Sequence, residues 1–267
     1  MNPIHPHAGA ATGTTLACVE RFLDELLRVE RERDPRGTGL LHAAGARVCR
    51  MGAALSTSMY AIEAAIEHGV DLLLVHHAPW PEIDLHLRPF KLARLSAYGI
   101  SLYAAPDALA REPGLGVADS LARRVGVRVE GRLAGGEGVF GTAGAAALRE
   151  WLVHVAVELA TSVRAWPNSP GFGRVALVPG AGGATTYLAE AQEHGCDTFL
   201  TGEGSLFTEL FARDAGISLA YATHQATEFP GICALTERVA AEFGLEWVAL
   251  PEAAVVSGGG RAPLELG

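Results

Sequence analysis

Asp-Leu-Leu-Leu-Val-His-His, residues 71–77, is the stretch of this chain that most restricts its fold. Its consecutive apolar residues show no alternation, which predicts a short strand that is buried on both faces. His76 and His77 follow at once, and Pro79 and Pro81 then end regular structure. In α/β proteins, ligand sites collect beyond the carboxyl ends of such strands. The two histidines therefore belong either to a ligand site or to an exposed loop, and the segment alone leaves both interpretations open.

The composition indicates which classes of protein this chain fits. With 267 residues, 49% of them hydrophobic, the chain can bury a sizeable core in one large domain or two smaller ones. A formal net charge of −9 argues against a nucleic-acid-binding surface, which needs a basic field. The four cysteines show no C-x-x-C spacing, which fits reduced thiols better than a zinc ribbon. Neither a signal peptide nor an apolar run of membrane-spanning length is evident, so we expect a cytoplasmic protein with no membrane partner.

Predicted helices alternate with predicted strands along most of the chain. Apolar spacing predicts helices near 15–33, 59–68, 88–98, 117–124, 145–159 and 231–243. Strands are predicted near 46–55, 71–75, 100–104, 127–133, 161–166 and 174–178. Pro35 and Gly37 are expected to end the first helix, and the glycine-rich stretch 135–144 to form a hairpin or loop. This alternation indicates βαβ units and a largely parallel sheet.

The chain contains an internal repeat. EHGVDLLLV at 67–75 matches EHGCDTFLT at 193–201, and GISLYAA at 99–105 matches GISLAYA at 216–222. A repeat longer than 100 residues is not a solenoid. We therefore predict an α/β fold of two similar halves related by this repeat, each with a mostly parallel sheet, which face each other across one cleft; the metal that this cleft is expected to hold follows from the candidate ligands below.

The repeat also suggests a domain organisation. We predict a flexible N-terminus over 1–14, a first half over 15–133 and a second half over 134–267, with the halves interleaved into one compact unit. Matched strand ends should converge on the cleft. After the second pair of matched strands come Asp107 in the first half and His224 in the second.

A second group of candidate ligands lies in THQATEFPG. His224 and Glu228 are four residues apart, which brings both side chains to one side of a helical turn, and Pro230 suits the first turn of the helix that follows. With His76 and His77 this gives three imidazoles and a carboxylate. Such ligands suit Zn, Mn, Fe or Co, and a thiolate-free set disfavours a structural zinc site. If the site holds two ions, four protein ligands are few for them. Coordination positions then remain open for water, which is the reactant in hydrolysis.

The segments GVDLLLVHH, GCDTFLTGEGS and ATHQATEFPGICAL resemble the signatures of one family. It is the family of dinuclear metal-centre, Nif-three-like proteins, often named GTP cyclohydrolase I type 2, and the resemblance runs from about residue 16 to residue 251. It implies two related α/β halves, a dinuclear site between them and a ring-shaped hexamer. By this resemblance, the metal-ligand positions are His76, His77, His224 and Glu228. Glu203 stands near the site.

The chain departs from the family pattern at one position. Family members carry a bridging aspartate after the strand that matches 100–104, and an ungapped alignment places Ala110 there. Asp107 is the nearest aspartate and matches His224 in the repeat, so we include it among the candidate metal ligands. The alternative is a surface ion pair between Asp107 and Arg111, four residues apart. The sequence leaves both open.

These observations favour a metal-dependent hydrolase-like protein in which metal-activated water attacks an unidentified small-molecule substrate. One or two divalent ions per chain are expected, with Glu203 as the orienter of a ligand or as a general base. GTP cyclohydrolase activity is implied by the resemblance alone, since nothing in the sequence specifies a purine pocket. The alternatives are a non-catalytic metal-binding or regulatory scaffold and a specialised pathway enzyme with a degenerate metal site.

Two further features receive no functional role from the sequence. The turn PGAGG at 179–183 lacks the Lys-Ser/Thr of a P-loop and is interpreted as a tight turn. Lys91 is the only lysine in a chain with 20 arginines, which looks like a consequence of genome composition.

Overall fold

A computed structural model describes residues 13–29 and 37–252. The strands are β1 (Thr14–Thr15), β2 (Gly39–His42), β3 (Arg47–Val48), β4 (Arg50–Ser56), β5 (Leu72–His77), β6 (Ser101–Ala104), β7 (Val127–Leu133), β8 (Gly138–Ala143), β9 (Arg164–Trp166), β10 (Arg174–Val178), β11 (Thr198–Thr201), β12 (Ser218–Tyr221) and β13 (Glu246–Ala249). The helices are α1 (Leu16–Leu27), α2 (Met59–Glu67), α3 (Pro81–Asp84), α4 (Leu87–Ala97), α5 (Asp107–Arg111), α6 (Val117–Arg124), α7 (Leu148–Glu158), α8 (Thr185–Glu193), α9 (Leu206–Ala215) and α10 (His224–Phe243). Within these residues, no helix combines the length and apolarity that a membrane crossing requires.

Two sheets organise the molecule, which confirms the predicted α/β class with two sheet-bearing halves. The first sheet has the strand order β13-β4-β5-β6-β2, and only its edge strand β2 runs antiparallel. The second has the order β7-β8-β10-β11-β12-β9. Here β10, β11 and β12 are parallel, whereas β7, β8 and β9 pair antiparallel. The second sheet is thus more mixed than predicted, because the short connection between β7 and β8 allows only an antiparallel hairpin.

The internal repeat corresponds to the parallel triplets β4-β5-β6 and β10-β11-β12. Asp71 Oδ2 accepts hydrogen bonds from Arg50 N at 2.9 Å and Cys49 N at 2.7 Å, and Asp197 Oδ2 accepts one from Arg174 N at 3.1 Å. The aspartate of each repeat therefore fixes the start of the preceding strand. This shared function explains why HG-x-D recurs at the two sites.

The halves exchange elements. β7 pairs within the second sheet, so the predicted boundary after Leu133 falls inside the β7–β8 hairpin. At the other end of the chain, β13 returns to pair with β4, with Trp247 opposite Met51. α10 also packs into the core of the first half, where Ile232 and Leu235 join one buried cluster with residues of α1 and β5. The division into 15–133 and 134–267 stays a prediction, since the described halves are joined by this exchange.

Two predicted helix limits are wrong. α1 ends at Leu27, where Arg28 takes a left-handed conformation, and Pro35 lies outside the described residues. α10 begins at His224 and contains Pro230, because the Thr223 side chain caps the helix by accepting from Ala226 N at 3.3 Å. The earlier start matters for the site, since it places His224 and Glu228 on regular helical turns.

Candidate metal centre

β5 includes both histidines and ends at the edge of the first sheet. His76 is 6% exposed, and its Nδ1 lies 2.9 Å from the carbonyl oxygen of Ala105. A carbonyl only accepts, so Nδ1 carries the hydrogen and Nε2 keeps its lone pair. This arrangement is typical of a histidine that binds a metal through Nε2.

His77 is held by the turn that follows β4. Its Nδ1 lies 3.1 Å from Ser56 Oγ, and Thr57 Oγ1 donates to its carbonyl oxygen at 3.0 Å. The Trp80 ring covers one side, with the ring centroids 5.6 Å apart. The imidazole is therefore fixed on its Nδ1 side and directs Nε2 towards the second half.

The remaining predicted ligands project from the first turns of α10. Thr223, immediately before the helix, has φ 63° and ψ 146°, a strained conformation for a β-branched residue that turns the chain sharply after β12. His224 Nδ1 then lies 2.8 Å from Glu203 Oε1 and donates to it. Glu228, one turn later, is 9% exposed. Because backbone strain of this kind concentrates at functional sites, its position next to His224 supports a functional role for the helix start.

The imidazoles from both halves converge on one carboxylate oxygen. Glu228 Oε2 lies 3.0 Å from His224 Nε2, 3.1 Å from His77 Nε2 and 4.0 Å from His76 Nε2. Among the described residues, His224 Nε2 and Glu228 Oε2 are buried side-chain atoms without a hydrogen-bond partner. His76, His77 and Glu228 also form a group whose ligand atoms lie within 4.8 Å of one another. Once His224 Nε2 has lost its proton, this convergence of imidazole nitrogens on one carboxylate oxygen fits a divalent cation.

Gly180 makes room for this carboxylate. It has φ +63°, and a Cβ at this position would lie 2.0 Å from Glu228 Oε1. Its N–H donates to Thr227 Oγ1 at 3.0 Å, which ties the turn to α10. The turn 179–183 thus has a role that the sequence analysis missed, because its glycine is required by a side chain that is distant in sequence.

The electrostatics of the group give the candidate ligands different protonation states at pH 7. Burial lowers the pKa of His76 to about 4, so this imidazole is neutral at pH 7. Burial alone would raise the pKa of Glu228, but its contacts with His224 and His77 outweigh burial and hold the pKa far below the ordinary value. Contact with Glu228, opposed by burial, raises the pKa of His224 to about 9. A metal ion would have to displace that proton, so metal affinity is expected to depend on pH.

A cleft of about 2140 Å³ opens beside the converging ligands. Its walls come from both halves and include His77 and Glu252 on one side, and Glu203, His224 and Tyr221 on the other. The volume exceeds that of a typical small-molecule site. The candidate centre therefore lies where a substrate could reach it.

The other two predicted site residues, Glu203 and Asp107, lie outside the group that converges on Glu228 Oε2. Glu203 contacts His224 through Oε1, but its side chain is 57% exposed. Asp107 occupies the first turn of α5, and its carboxylate lies 4.0 Å from Arg111 Nη2. The metal-capable group found among the described residues consists of His76, His77 and Glu228, and includes neither Asp107 nor His224. Asp107 as a ligand stays a prediction, and its contact with Arg111, whose Nη2 also donates to Glu137 Oε1 at 2.9 Å, is the ion pair that the sequence left open as an alternative.

Lys91 has a structural role that the composition did not suggest. It is 8% exposed, and its Nζ donates to Asp84 Oδ1 at 2.5 Å. The pair joins α4 to the end of α3, the short helix that follows Trp80. A buried lysine in a chain that otherwise uses arginine could have been noticed as an exception, but its partner could not have been predicted.

The family profile of Duf34/NIF3 (NGG1p interacting factor 3) matches residues 14–254. The chain is 31% identical over 240 residues to a protein named GTP cyclohydrolase 1 type 2 homolog from Deinococcus radiodurans, covering 85% of this chain and 89% of the relative. It is 34% identical over 238 residues to a protein of the same name from Halobacterium salinarum, covering 84% and 92%.

Solved structures with the same fold include protein ybgI, described as of unknown function. It has a TM-score of 0.80 and 25% identity, covering 88% of this chain and 97% of that one. TTHA1606 from Thermus thermophilus has a TM-score of 0.75 and 27% identity, covering 95% and 100%. Both similarities extend over nearly the whole of the solved chains, so the two-sheet architecture as a whole is shared.

Proposed function

The chain belongs to the Duf34/NIF3 family, and from this premise we propose that it is a metal-dependent, hydrolase-like protein. Its proposed ligands are His76, His77, His224 and Glu228. The observation that carries the proposal is the convergence of three imidazole Nε2 atoms on Glu228 Oε2, with His224 Nε2 and Glu228 Oε2 buried and without hydrogen-bond partners. The nitrogen and oxygen donor set suits Zn, Mn, Fe or Co.

A divalent ion in such a site supplies Lewis-acid activation of water and of a substrate oxygen. The residues of the chain prepare the site for this chemistry. Ala105 O and Ser56 Oγ fix the Nδ1 sides of His76 and His77, and Glu203 does the same for His224. We propose that Glu203 orients His224 and thereby influences catalysis indirectly. This role fits its direct contact with Nδ1 better than that of a general base.

The residue at the position where the family pattern has a bridging aspartate favours a second candidate function. Ala110 replaces the carboxylate expected from the family pattern, and Asp107 is paired with Arg111. A centre without this bridge would hold fewer ions. That observation supports a specialised enzyme with a degenerate site, or a non-catalytic metal-binding scaffold, as the alternative to hydrolysis.

Elemental analysis of protein purified without chelator tests the metal centre. We expect one or two equivalents of Mn, Fe, Co or Zn per chain, and loss of the bound metal in His76→Ala and His224→Ala. A panel of phosphate esters, nucleotides and cyclic amides then tests hydrolysis by the metal-loaded protein. Less than one equivalent of metal would contradict the centre, whereas full metal content with no hydrolysis would favour the scaffold.

We also propose that the chain forms a homo-oligomer, which is a hexamer according to the family resemblance. Exposed apolar side chains support this proposal: on α9, Leu206 and Phe207 are 65% and 72% exposed. Light scattering coupled to gel filtration would measure the mass directly. A monomer at micromolar concentration would contradict the assembly without affecting the metal centre.

A further inference from the structure

Glu252 lies where the chain returns to the first sheet after β13. The residue is 8% exposed and lines the cleft. Its Oε2 accepts a hydrogen bond from Ser56 N at 3.1 Å, and its Oε1 accepts one from Ser58 Oγ. Both donors belong to the turn 56–58, which begins with the last residue of β4 and leads into α2, so this carboxylate joins segments that are 196 residues apart.

The same turn surrounds His77. Ser56 Oγ lies 3.1 Å from His77 Nδ1, and Thr57 donates to the His77 carbonyl oxygen from both N and Oγ1, at 3.1 and 3.0 Å. Ser58 caps α2 by accepting from Ala61 N at 3.1 Å. The position of the His77 ring therefore depends on a turn that Glu252 holds at both ends.

His77 differs from the other two histidines in what holds its Nδ1 atom. His76 contacts a backbone carbonyl and His224 contacts a carboxylate, and both groups only accept. The Ser56 hydroxyl can rotate and can donate or accept. Its direction is defined only if the backbone that carries it is fixed, and Glu252 binds the N–H of that residue.

A buried carboxylate at this position is costly and therefore informative. Burial raises the pKa of Glu252, opposed by the hydrogen bonds from Ser58 and Ser56 and by the nearby charges of His77 and Lys91. Removal of a carboxylate from water is unfavourable unless strong donors face it. An alanine would avoid that cost but would leave both donors of the turn without their acceptor.

We propose that Glu252 is a positioning residue of the metal centre. It fixes Ser56, and the Ser56 hydroxyl in turn keeps Nε2 of His77 directed at Glu228. The inference rests on the proposed metal centre and adds a residue from the far end of the chain to it. Groups that orient metal ligands typically change metal affinity by about 10- to 100-fold when removed.

Titration with Co²⁺ tests this inference, because the visible absorption of Co²⁺ reports ligand geometry as well as binding. We expect Glu252→Ala and Ser56→Ala each to weaken Co²⁺ binding by about 10- to 100-fold and to alter the spectrum in the same way. Glu252→Gln retains one acceptor oxygen and should show a smaller loss. Glu246→Ala is the matched control, since Glu246 lies on the neighbouring strand β13 but pairs with Arg50 at the surface, with 2.9 Å between Nε and Oε2.

Wild-type affinity and spectrum in Glu252→Ala and Ser56→Ala would overturn the proposal. A loss in Glu252→Ala alone, with Glu252→Gln and Ser56→Ala like wild type, would also overturn it, because the effect would then be one of folding. If Glu252→Ala does not fold, the other two variants decide. Failure of the metal centre itself is distinguishable: wild-type protein would then bind no Co²⁺, or His77→Ala would bind it as wild type does.

Discussion

The carboxyl ends of β5 and β11 are equivalent in the repeat but carry different chemistry. β5 runs on to His77 and presents two imidazoles, whereas β11 ends at Thr201 and is followed by Gly202. A Cβ on Gly202 would lie 2.6 Å from both Gly180 O and His224 Cα. One strand end therefore carries candidate ligands, and the other leaves the space that the candidate ligands of α10 occupy.

The helices after β6 and β12 extend this contrast. α5 has 5 residues and α10 has 20. Asp107 and His224 both occupy the first turn, yet Asp107 pairs with Arg111 while His224 contacts Glu228 at 3.0 Å. The repeat thus fixes the backbone frame, whereas the segments after the strands determine the chemistry.

The largest expected effect on metal binding comes from a change at Glu228, whose Oε2 is approached by imidazoles from both halves. Glu228→Gln should reduce bound metal to background in elemental analysis, because a neutral amide is a poor ligand and lacks the negative charge of the carboxylate. Glu237→Gln, another cleft carboxylate, is the control and should keep the metal. Retention of metal by Glu228→Gln would mean that the halves bind ions independently.

A pair of glycine variants compares the halves directly. Gly180 and Gly69 have φ values of +63° and +62°, but a Cβ on Gly69 would meet nothing within 4 Å. Gly69→Ala should cost about 1–2 kcal/mol of unfolding free energy from the left-handed conformation alone. Gly180→Ala should cost more and also lose metal, since its Cβ would collide with Glu228.

Chemical denaturation and elemental analysis of the two glycine variants provide the measurement. Equal destabilisation, with metal retained in both, would contradict the close approach of the turn 179–183 to the centre.

A change at Glu203, which accepts a hydrogen bond from His224, is expected to have an intermediate effect on metal affinity. Glu203→Gln should weaken metal binding by about 10- to 100-fold, because the amide is a weaker acceptor for Nδ1–H. Isothermal titration with Mn²⁺ or Zn²⁺ measures the change. Glu209→Gln, whose carboxylate pairs with Arg164 at 3.0 Å, should leave the affinity unchanged. An unaltered affinity in Glu203→Gln would assign Glu203 to the surface only.

In the metal-free protein, the histidines of the two halves should titrate far apart. His76 should protonate only near pH 4, because it is buried, and His224 should stay protonated up to about pH 9, because it contacts Glu228. Histidine NMR signals followed from about pH 4 to about pH 10 report both. In Glu228→Gln the His224 value should fall towards about 6.5, the ordinary value. Titration of both rings near the ordinary value in wild type would contradict the geometry.

The smallest effect is expected at Asp107. Asp107→Asn should change the unfolding free energy by only a few tenths of a kcal/mol, roughly the value of an i,i+4 ion pair, and should leave metal content unchanged. Thermal unfolding and elemental analysis would measure these. Loss of metal in this variant would instead make Asp107 a ligand and restore the symmetry of the two halves.

Much of the frame could be predicted because the signals are local. The unbroken apolar run predicted β5, and the limits of α6, β7 and β10 match the predicted ranges. The spacing of His224 and Glu228 indicated a common helical face, which α10 provides. The start of α10 was missed because Pro230 resembles a first-turn proline, whereas the Thr223 cap decides the start.

Periodicity and motif spacing depend on residues close together in the chain, so they were sufficient to predict the α/β class and the repeat and to nominate the candidate ligands. Four contacts could be found only in the folded protein: β13 completes the first sheet, Gly180 borders Glu228, Asp107 lies near Arg111, and Glu252 accepts hydrogen bonds from the turn beside His77. These contacts arise where separate strand ends and loops meet. Their distances depend on how two sheets and α10 pack together, and no local pattern in the chain records that packing.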